Sequence, residues 1–244
     1  MSGSVLILGA RSDIARACAH RYAQAGWSVM LAARDSESLR PEAQDLRLRH
    51  RGGVTLHDFD VLDTDGFEAF LAALPTLPDT VICAVGFMGD QAASQSDPAA
   101  AARVMRSNYE GPALILGLLA ERFLARGHGT VVGISSVAGD RGRASNYVYG
   151  SAKAGFSAFL SGLRNRLSQT AVKVITVKPG FVATKMTEGL PLNPRLTAQP
   201  AEVAEAIWRA QEKGRDVIYV RAVWRLVMAI ITHLPEFVFK KTRL

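Results

Sequence analysis

The sequence has few of the residues that build metal centres or disulfide frameworks. Only two of its 244 residues are cysteine, Cys18 and Cys83. No group of cysteine and histidine has the spacing of a metal site, so we expect no metal and two reduced thiols, as in a cytoplasmic protein. The opening run Val5-Leu-Ile-Leu8 is too short for a signal peptide. No uninterrupted apolar run reaches the length of a transmembrane helix.

Aromatic residues make up 7 % of the chain, and the net charge is +7, with 29 Lys and Arg against 22 Asp and Glu. The basic residues are scattered, with local groups at 47–51, 141–143 and 240–243. No basic stripe is interleaved with aromatic residues, which would be typical of a nucleic-acid-binding surface. We therefore expect no nucleic-acid partner, and we interpret the excess charge as a solvated surface together with phosphate recognition.

Apolar runs typical of strands alternate with helical patterns from the start of the chain. The predicted strands are 4–8, 28–33, 54–59, 80–85, 130–135, 173–177 and 217–219. The predicted helices are 14–25, 36–51, 65–73, 99–125, 151–169 and 201–213. This alternation predicts an α/β fold, a single doubly wound parallel sheet of about seven strands with helices on both faces. We expect one domain over 1–244, with a lid loop at 188–200 and an apolar and basic extension at 221–244.

The first predicted strand ends in the turn Gly9-Ala-Arg11-Ser12-Asp13-Ile14-Ala15, and a helix follows. This arrangement places backbone N–H groups and a helix dipole at a pyrophosphate. Asp13 and Ala15 stand where a glycine-rich pattern has glycines. Ala15 is small enough for close packing, and Asp13 can cap the helix. The carboxylate of Asp13 is unfavourable near a phosphate unless it points away.

The end of the second predicted strand bears on the choice of dinucleotide. A cofactor without a 2′-phosphate usually meets an acidic residue here, but this chain has Ala33 followed by Arg34. A guanidinium can bind a 2′-phosphate through two hydrogen bonds, and Arg11 adds a second positive charge. We therefore predict NADP(H) as the cofactor, with Asp60 and Val61 placed to meet the adenine.

Tyr149 and Lys153 lie four residues apart where the predicted helix over 151–169 begins. In a helix, this spacing places the phenol and the ammonium on one face. A nearby cation favours the phenolate and lowers the pKa of the tyrosine, which makes Tyr149 a candidate general acid or base. Ser136 follows a predicted buried strand and brings a hydroxyl to its carboxyl end. Tyr147 has Ser151 four residues later instead of lysine, so we interpret it as a packing or substrate-pocket residue.

With these features assembled, the chain resembles the short-chain dehydrogenase/reductase family over essentially its full length. The family's tyrosine–lysine pair matches Tyr149 and Lys153, its serine matches Ser136, and its helical asparagine matches Asn108. The segment after the fourth strand matches Cys83-Ala84-Val85-Gly86, where the usual asparagines are missing. The segment after the sixth strand matches Lys178-Pro179-Gly180, with Thr184 following.

The resemblance implies a Rossmann-type fold and hydride transfer between a nicotinamide and a carbonyl or alcohol carbon. It implies that Tyr149 donates the proton and that Ser136 orients the carbonyl oxygen. Lys153 is expected to lower the pKa of Tyr149 and to bind the nicotinamide ribose, and Asn108 to hold a water that links Lys153 to solvent. Further cofactor contacts implied by the resemblance are Ala84, Gly86, Pro179, Gly180 and Thr184. A homo-oligomer, dimer or tetramer, is expected by analogy.

Four segments are similar to a narrower group in the family, the decaprenylphosphoryl-2-keto-ribose reductases, which reduce a keto-pentose carried on a polyprenyl phosphate. These segments are 59–65, 85–90, 145–153 and 234–240. Reduction of a lipid-linked sugar is therefore one expected function, and reduction of a small soluble carbonyl compound is the alternative. A non-catalytic dinucleotide-binding sensor is a third possibility, against which the complete set of candidate catalytic residues argues.

The C-terminal segment bears on the substrate. Its apolar stretch at 224–231 is followed by Phe237 and Phe239 and then by Lys240, Lys241 and Arg243. Such a segment can lie on an anionic membrane surface, which would suit a lipid-phosphate substrate and a peripheral location at the inner membrane. The alternative is a helix that packs against its own core or a dimer partner, and the sequence leaves both open.

Overall fold

The structure is a computed structural model that describes residues 3–50, 52–189 and 191–242. Strands and helices alternate along the chain from its first described residues. The strands are β1 (Ser4–Leu8), β2 (Ser28–Ala33), β3 (Val54–Asp58), β4 (Thr80–Cys83), β5 (Gly129–Ile134), β6 (Val172–Pro179), β7 (Phe181–Val182), β8 (Thr197–Ala198) and β9 (Val217–Val220). The α-helices are α1 (Asp13–Gln24), α2 (Arg40–Arg49), α3 (Phe67–Ala72), α4 (Gln91–Ser96), α5 (Pro98–Met105), α6 (Gly111–Arg126), α7 (Tyr147–Arg166), α8 (Pro200–Glu212), α9 (Val223–His233) and α10 (Glu236–Phe239).

Seven of the strands form one sheet in the order β3-β2-β1-β4-β5-β6-β9, and every neighbouring pair is parallel. β7 and β8 form a separate two-stranded pair. The strand order reverses between β1 and β4, where successive crossovers leave in opposite directions. The predicted doubly wound α/β sheet with seven strands is therefore confirmed.

The apolar character of the strands follows from burial on both faces of the sheet. Side chains alternate along a strand, so Val5 and Ile7 pack into one layer with residues of α1 and α8. Leu6 and Leu8 pack into the opposite layer with residues of α6 and α7. All four side chains are fully buried. Because neither face of β1 meets water, its sequence is continuously apolar rather than alternating.

The predicted helix over 99–125 differs in the structure. It consists of α5 and α6 joined by a π-helical turn at Arg106–Glu110. Pro112 lies in the first turn of α6 and has no N–H to continue the regular ladder. The wider turn buries the side chains of Ser107 and Asn108, and such turns occur frequently at functional sites.

Two other predicted segments also differ from the structure. The predicted helix over 36–51 begins as a 3-10 turn at Ser36–Leu39 and becomes α2 at Arg40, and Arg51 lies outside the described residues. The predicted lid loop, in which Leu190 is not described, ends early because β8 pairs with β7 and a capping box at Gln199 starts α8.

A steric constraint at the start of α6 generates a prediction. A Cβ added at Gly111 would lie 2.1 Å from the backbone oxygen of Val61, whereas one added at Gly117 would make an ordinary contact, 3.8 Å from the Phe159 ring. We expect Gly111→Ala to lower the free energy of unfolding by about 1–3 kcal/mol, as overpacking does. Gly117→Ala should raise it by up to about 1 kcal/mol through helix propensity. Urea unfolding of both variants measures the difference, and two variants of equal stability would contradict it.

Candidate functional site

A cavity of about 740 Å³ lies at the carboxyl ends of the strands, where the strand order reverses. This is the place at which doubly wound sheets bind their ligands. All the residues predicted to bind the cofactor line it: Gly9, Arg11, Ser12, Asp13, Ile14, Arg34, Asp60, Val61, Ala84, Gly86, Tyr149, Lys153, Pro179, Gly180 and Thr184. Ser136 lines it as well, whereas Asn108 lies behind its wall.

Gly9 forms the turn between β1 and α1. Its φ of +81° lies in the left-handed region that favours glycine. A Cβ here would lie 2.9 Å from the backbone nitrogen of Val85, at the end of β4. Only glycine allows the two chain segments to pass this closely, and the turn leaves the N-terminus of α1 facing the cavity.

The two positions that depart from a glycine-rich turn have clear roles. Ser12, and not Asp13 as predicted, caps α1, since its hydroxyl accepts a hydrogen bond from the Ala15 N–H at 3.1 Å. The Ala15 side chain is fully buried. Asp13 accepts a hydrogen bond from the backbone N–H of Lys185 at 2.9 Å. Its carboxylate therefore ties the start of α1 to the segment after β7 and is partly neutralised by that donor.

Two exposed arginines lie close together, Arg34 after β2 and Arg11 in the turn between β1 and α1. Arg34 directly follows Ala33, and Arg11 Nη1 donates to the Arg34 backbone oxygen at 3.4 Å. The contact brings both positive charges to one rim of the cavity. On the neighbouring strand's end, Asp60 accepts from the Leu62 N–H at 3.0 Å, and Val61 is buried.

The structure brings Ser136, Tyr149 and Lys153 together at the same cavity. Ser136 follows β5 and caps a short 3-10 turn, since its hydroxyl accepts from the Ala138 N–H at 3.1 Å. The buried Lys153 donates from Nζ to the Ile134 backbone oxygen at 3.0 Å, and Nζ lies 5.7 Å from the centre of the Tyr149 ring. Tyr149 and Lys153 project from the first two turns of α7.

The pKa of Tyr149 differs from our expectation. Burial raises the pKa of Tyr149 to about 12, and the nearby Ser136 hydroxyl opposes this only in part. Burial also lowers the pKa of Lys153 to about 8. The expected lowering of the tyrosine pKa is therefore wrong for this arrangement, because loss of water on burial is the largest influence on the phenol. Tyr149 is protonated at neutral pH.

Asn108 is fully buried in the π-helical turn. Its Oδ1 accepts from the Phe87 N–H at 3.2 Å, and its Nδ2 donates to the Phe87 and Val104 oxygens at 2.6 and 2.8 Å. A Cβ added at Gly86 would lie 3.6 Å from Asn108 Oδ1 and 3.9 Å from Lys153 Nζ. The amide of Asn108 thus fixes the chain after β4, close to Lys153.

The C-terminal helices contribute residues that sequence reasoning did not assign to the site. Trp224 in α9 lines the cavity and packs so tightly on Gly180 that a Cβ there would lie 1.9 Å from its Nε1. Its Nε1 donates to the Leu196 oxygen at 3.0 Å. Trp224 belongs to a small core of α9 residues packed against Val137, so one face of the predicted extension covers the protein's own interior. The cavity is also lined by Arg103, Arg143, Ser145, Asn146, Phe181 and Met186.

Arg141 holds this C-terminal segment against the loop that follows Ser136. Its Nη1 donates to the Ile231 and Leu234 oxygens at 2.8 and 2.6 Å, and its Nη2 pairs with Glu236 at 2.8 Å. Its guanidinium lies 3.8 Å from the centre of the Phe239 ring. Phe239 is therefore packed, and of the predicted aromatic pair only Phe237 is exposed.

The described residues hold neither a metal-binding group of side chains nor a membrane-spanning helix. They contain no group of three or more His, Cys, Asp or Glu side chains placed to hold a metal ion. None of the helices over 3–50, 52–189 and 191–242 combines the length and apolar character needed to cross a membrane.

The sequence matches the family model described as short chain dehydrogenase over residues 4–194. It is 39 % identical over 243 residues to an uncharacterized oxidoreductase of Streptomyces coelicolor, covering 98 % of this chain and 95 % of that protein. It is 37 % identical over 240 residues to one of Mycobacterium tuberculosis, covering 97 % and 96 %. A sulfoacetaldehyde reductase of Chromohalobacter salexigens is 34 % identical over 192 residues, covering 77 % and 75 %.

Solved structures share the fold. A variant of an actinorhodin polyketide ketoreductase with NADPH has a TM-score of 0.79 at 25 % identity, covering 90 % of this chain and 95 % of that one. A short-chain dehydrogenase from Sphingobium yanoikuyae in complex with NADPH has a TM-score of 0.81 at 23 % identity, covering 96 % and 97 %. Together with the site geometry, these matches establish that the chain belongs to the short-chain dehydrogenase/reductase family of oxidoreductases.

Proposed function

We propose that this protein is an NADPH-dependent reductase that converts a carbonyl group to an alcohol. The observation that carries the proposal is the convergence of Ser136, Tyr149 and Lys153 on the cavity whose opposite rim presents Arg11 and Arg34. Three strand spacings separate the ends of β2 and β5 in the sheet, a distance of about 14 Å. That length suits an extended dinucleotide.

The residues of the cavity fit such a cofactor. The close approach at Gly9 and the N-terminus of α1 would hold the diphosphate. Arg34 and Arg11 would hold the 2′-phosphate, and Asp60 and Val61 would meet the adenine. The nicotinamide half would contact Ala84, Gly86, Pro179, Gly180 and Thr184. When bound, the nicotinamide supplies the hydride.

Side chains of the protein donate the proton and orient the carbonyl oxygen. Tyr149 is protonated at neutral pH, as an ordinary tyrosine is, and donates its proton to the oxygen as negative charge develops there. The Ser136 hydroxyl donates a hydrogen bond to the same oxygen and orients it. Lys153, whose Nζ lies 5.7 Å from the centre of the Tyr149 ring, would bind the nicotinamide ribose, and Asn108 keeps the neighbouring chain in place. Return of the proton through a water at Asn108 stays a prediction.

The proposed proton donor can be tested by removing one hydroxyl. We expect Tyr149→Phe to lower kcat by about 10²–10⁴-fold, the usual range for a general acid. Binding of NADPH should change little, because the ring and its packing remain. Tyr147→Phe is the matched control, since Tyr147 is 46 % exposed and lies two residues earlier on the same helix. Steady-state kinetics with a carbonyl panel measures both, and near-normal turnover of Tyr149→Phe would remove Tyr149 from its role.

The proposed cofactor preference rests on the arginine rim. We expect tighter binding of NADPH than of NADH, and we expect Arg34→Ala to weaken NADPH binding by about 10–100-fold, as for loss of charge-assisted hydrogen bonds. NADH lacks the 2′-phosphate, so its dissociation constant should stay within about twofold. Titration of both cofactors against both proteins provides the measurement. Equal loss for the two cofactors would assign Arg34 a structural role instead.

The exposed C-terminal surface supports a lipid-linked substrate. Outside the packed face of α9, Leu226 and Ile230 are 64 % and 59 % exposed, and Phe237 is 68 % exposed. Lys240 and Lys241 follow directly, and Arg243 lies outside the described residues. This exposed face supports a cytoplasmic enzyme in peripheral contact with a membrane, acting on the keto-pentose of a polyprenyl-phosphate sugar. A small soluble carbonyl compound is the alternative, and sulfoacetaldehyde is the substrate in the name of one relative.

Membrane contact predicts vesicle binding that depends on charge. We expect co-sedimentation with anionic vesicles at low salt and its loss at high salt, because each basic residue near such a surface contributes about 1 kcal/mol. Leu226→Ser with Ile230→Ser should abolish binding. Leu48→Ser is the matched control, since Leu48 is a fully accessible leucine on α2.

Two other results would contradict the membrane assignment. Absence of binding to anionic vesicles would leave the soluble substrate as the better proposal. A smaller oligomer in the Leu226→Ser, Ile230→Ser variant, measured by light scattering, would make the exposed face a subunit interface in a dimer or tetramer.

A further inference from the structure

Unpaired buried polar atoms concentrate beside the start of α7, where Arg143 and Asn146 line the cavity. Among the described residues, four buried side-chain polar atoms have no hydrogen-bond partner, and they include Gln91 Nε2, Arg143 Nε and Asn146 Oδ1. Gln91 Oε1 accepts from the Val148 N–H at 3.3 Å, which places all three beside the start of α7. Native proteins pair nearly all such atoms. The unpaired atoms therefore indicate a bound ligand that supplies hydrogen-bond partners here.

The charge of Arg143 is not balanced within the described part of the protein. Arg143 forms no ion pair there, and the acid that acts on it, Asp140, is already engaged. One oxygen of Asp140 pairs with Lys178, and the other accepts from the Tyr219 hydroxyl at 2.9 Å. Arginine stays protonated in proteins. A half-buried guanidinium without a counter-charge is costly, which favours an anionic ligand.

The position of Arg143 relates this charge to the substrate. Arg143 and Asn146 line the same cavity as Ser136 and Tyr149, on the segment that runs between those two residues. The acids that line the cavity, Asp13 and Asp60, follow β1 and β3, on the far side of the sheet centre. Asp13 is also held by the Lys185 N–H. Asp140, the acid nearest to Arg143 on its own segment, does not line the cavity and is paired with Lys178.

We propose that Arg143 binds an anionic group of the carbonyl substrate, a carboxylate, sulfonate or phosphodiester, while Ser136 and Tyr149 hold the carbonyl oxygen. This inference rests on the proposed reductase function and adds the charge of its substrate. A guanidinium can donate two parallel hydrogen bonds to such an oxyanion. The Asn146 amide beside it accepts a hydrogen bond from a neighbouring hydroxyl, or donates one after rotation by 180°.

Binding of unreactive probes separates this site from turnover. Isothermal titration of the NADP⁺-saturated protein compares butyrate and propane-1-sulfonate with butyramide, a neutral isostere of butyrate. We expect both anions to bind, butyramide to bind at least about tenfold more weakly, and Arg143→Gln to weaken the anions at least about tenfold. Arg143→Lys should restore part of the affinity. Arg40→Gln is the matched control, because the change also removes one positive charge and Arg40 is exposed at the start of α2, outside the cavity.

The outcomes distinguish this inference from the reductase proposal. Equal binding of butyrate and butyramide, or anion binding unchanged in Arg143→Gln, would overturn the anion site even if the enzyme reduces carbonyl compounds. An increase in the NADP⁺ dissociation constant of Arg143→Gln would assign the residue to the cofactor instead. Reduction of succinic semialdehyde and butanal completes the test. A loss of kcat/KM in Arg143→Gln for succinic semialdehyde but not for butanal supports the anion site. If the unchanged protein reduces neither aldehyde, that result counts against the reductase assignment only.

Discussion

The close crossing at Gly9 is the constraint on which the rest of the site depends. The N–H groups of Gly9 and Ala10 both donate to the Ala32 oxygen, at 2.9 and 3.1 Å, and the Ala84 N–H donates to the Leu8 oxygen at 2.9 Å. These bonds tie the ends of β2, β1 and β4 together at one point. A methyl group at Gly9 would separate them, since it would meet the backbone of Val85. The direction of α1 and the shape of the cavity follow from this contact.

Much of the fold could be predicted from the sequence because most strands and helices are determined by the residues within them. Each strand is an apolar run of limited length, and the predicted bounds of β1 and β2 match the structure. The π-helical turn at Arg106–Glu110 could not be predicted, since one added residue hardly changes the apolar periodicity on either side. The end of the lid segment was missed because β8 is only two residues long and depends on pairing with β7.

The sequence could predict which residues line the cavity better than it could predict their pKa values. Spacing alone placed Tyr149 and Lys153 on one helix face, and motifs placed Gly9, Arg34 and Ser136. The sign of the tyrosine pKa shift depends on how much water the folded chain removes and on the carbonyl that Lys153 contacts, and neither is local in sequence. Similarly, an amphipathic pattern in α9 indicates that one face is covered. It does not reveal that Trp224 covers Gly180.

The wall formed by Trp224 has an evolutionary consequence. The family model covers residues 4–194, which include Ser136, Tyr149 and Lys153, whereas Trp224 and the segment held by Arg141 lie beyond it. The proposed reacting groups and part of the pocket wall are therefore encoded in separate stretches of the gene. Exchange or divergence of the last few dozen codons can reshape the pocket while leaving the reacting groups in place. Changes in those codons can thus alter the pocket that the substrate meets without altering the residues proposed to react with it.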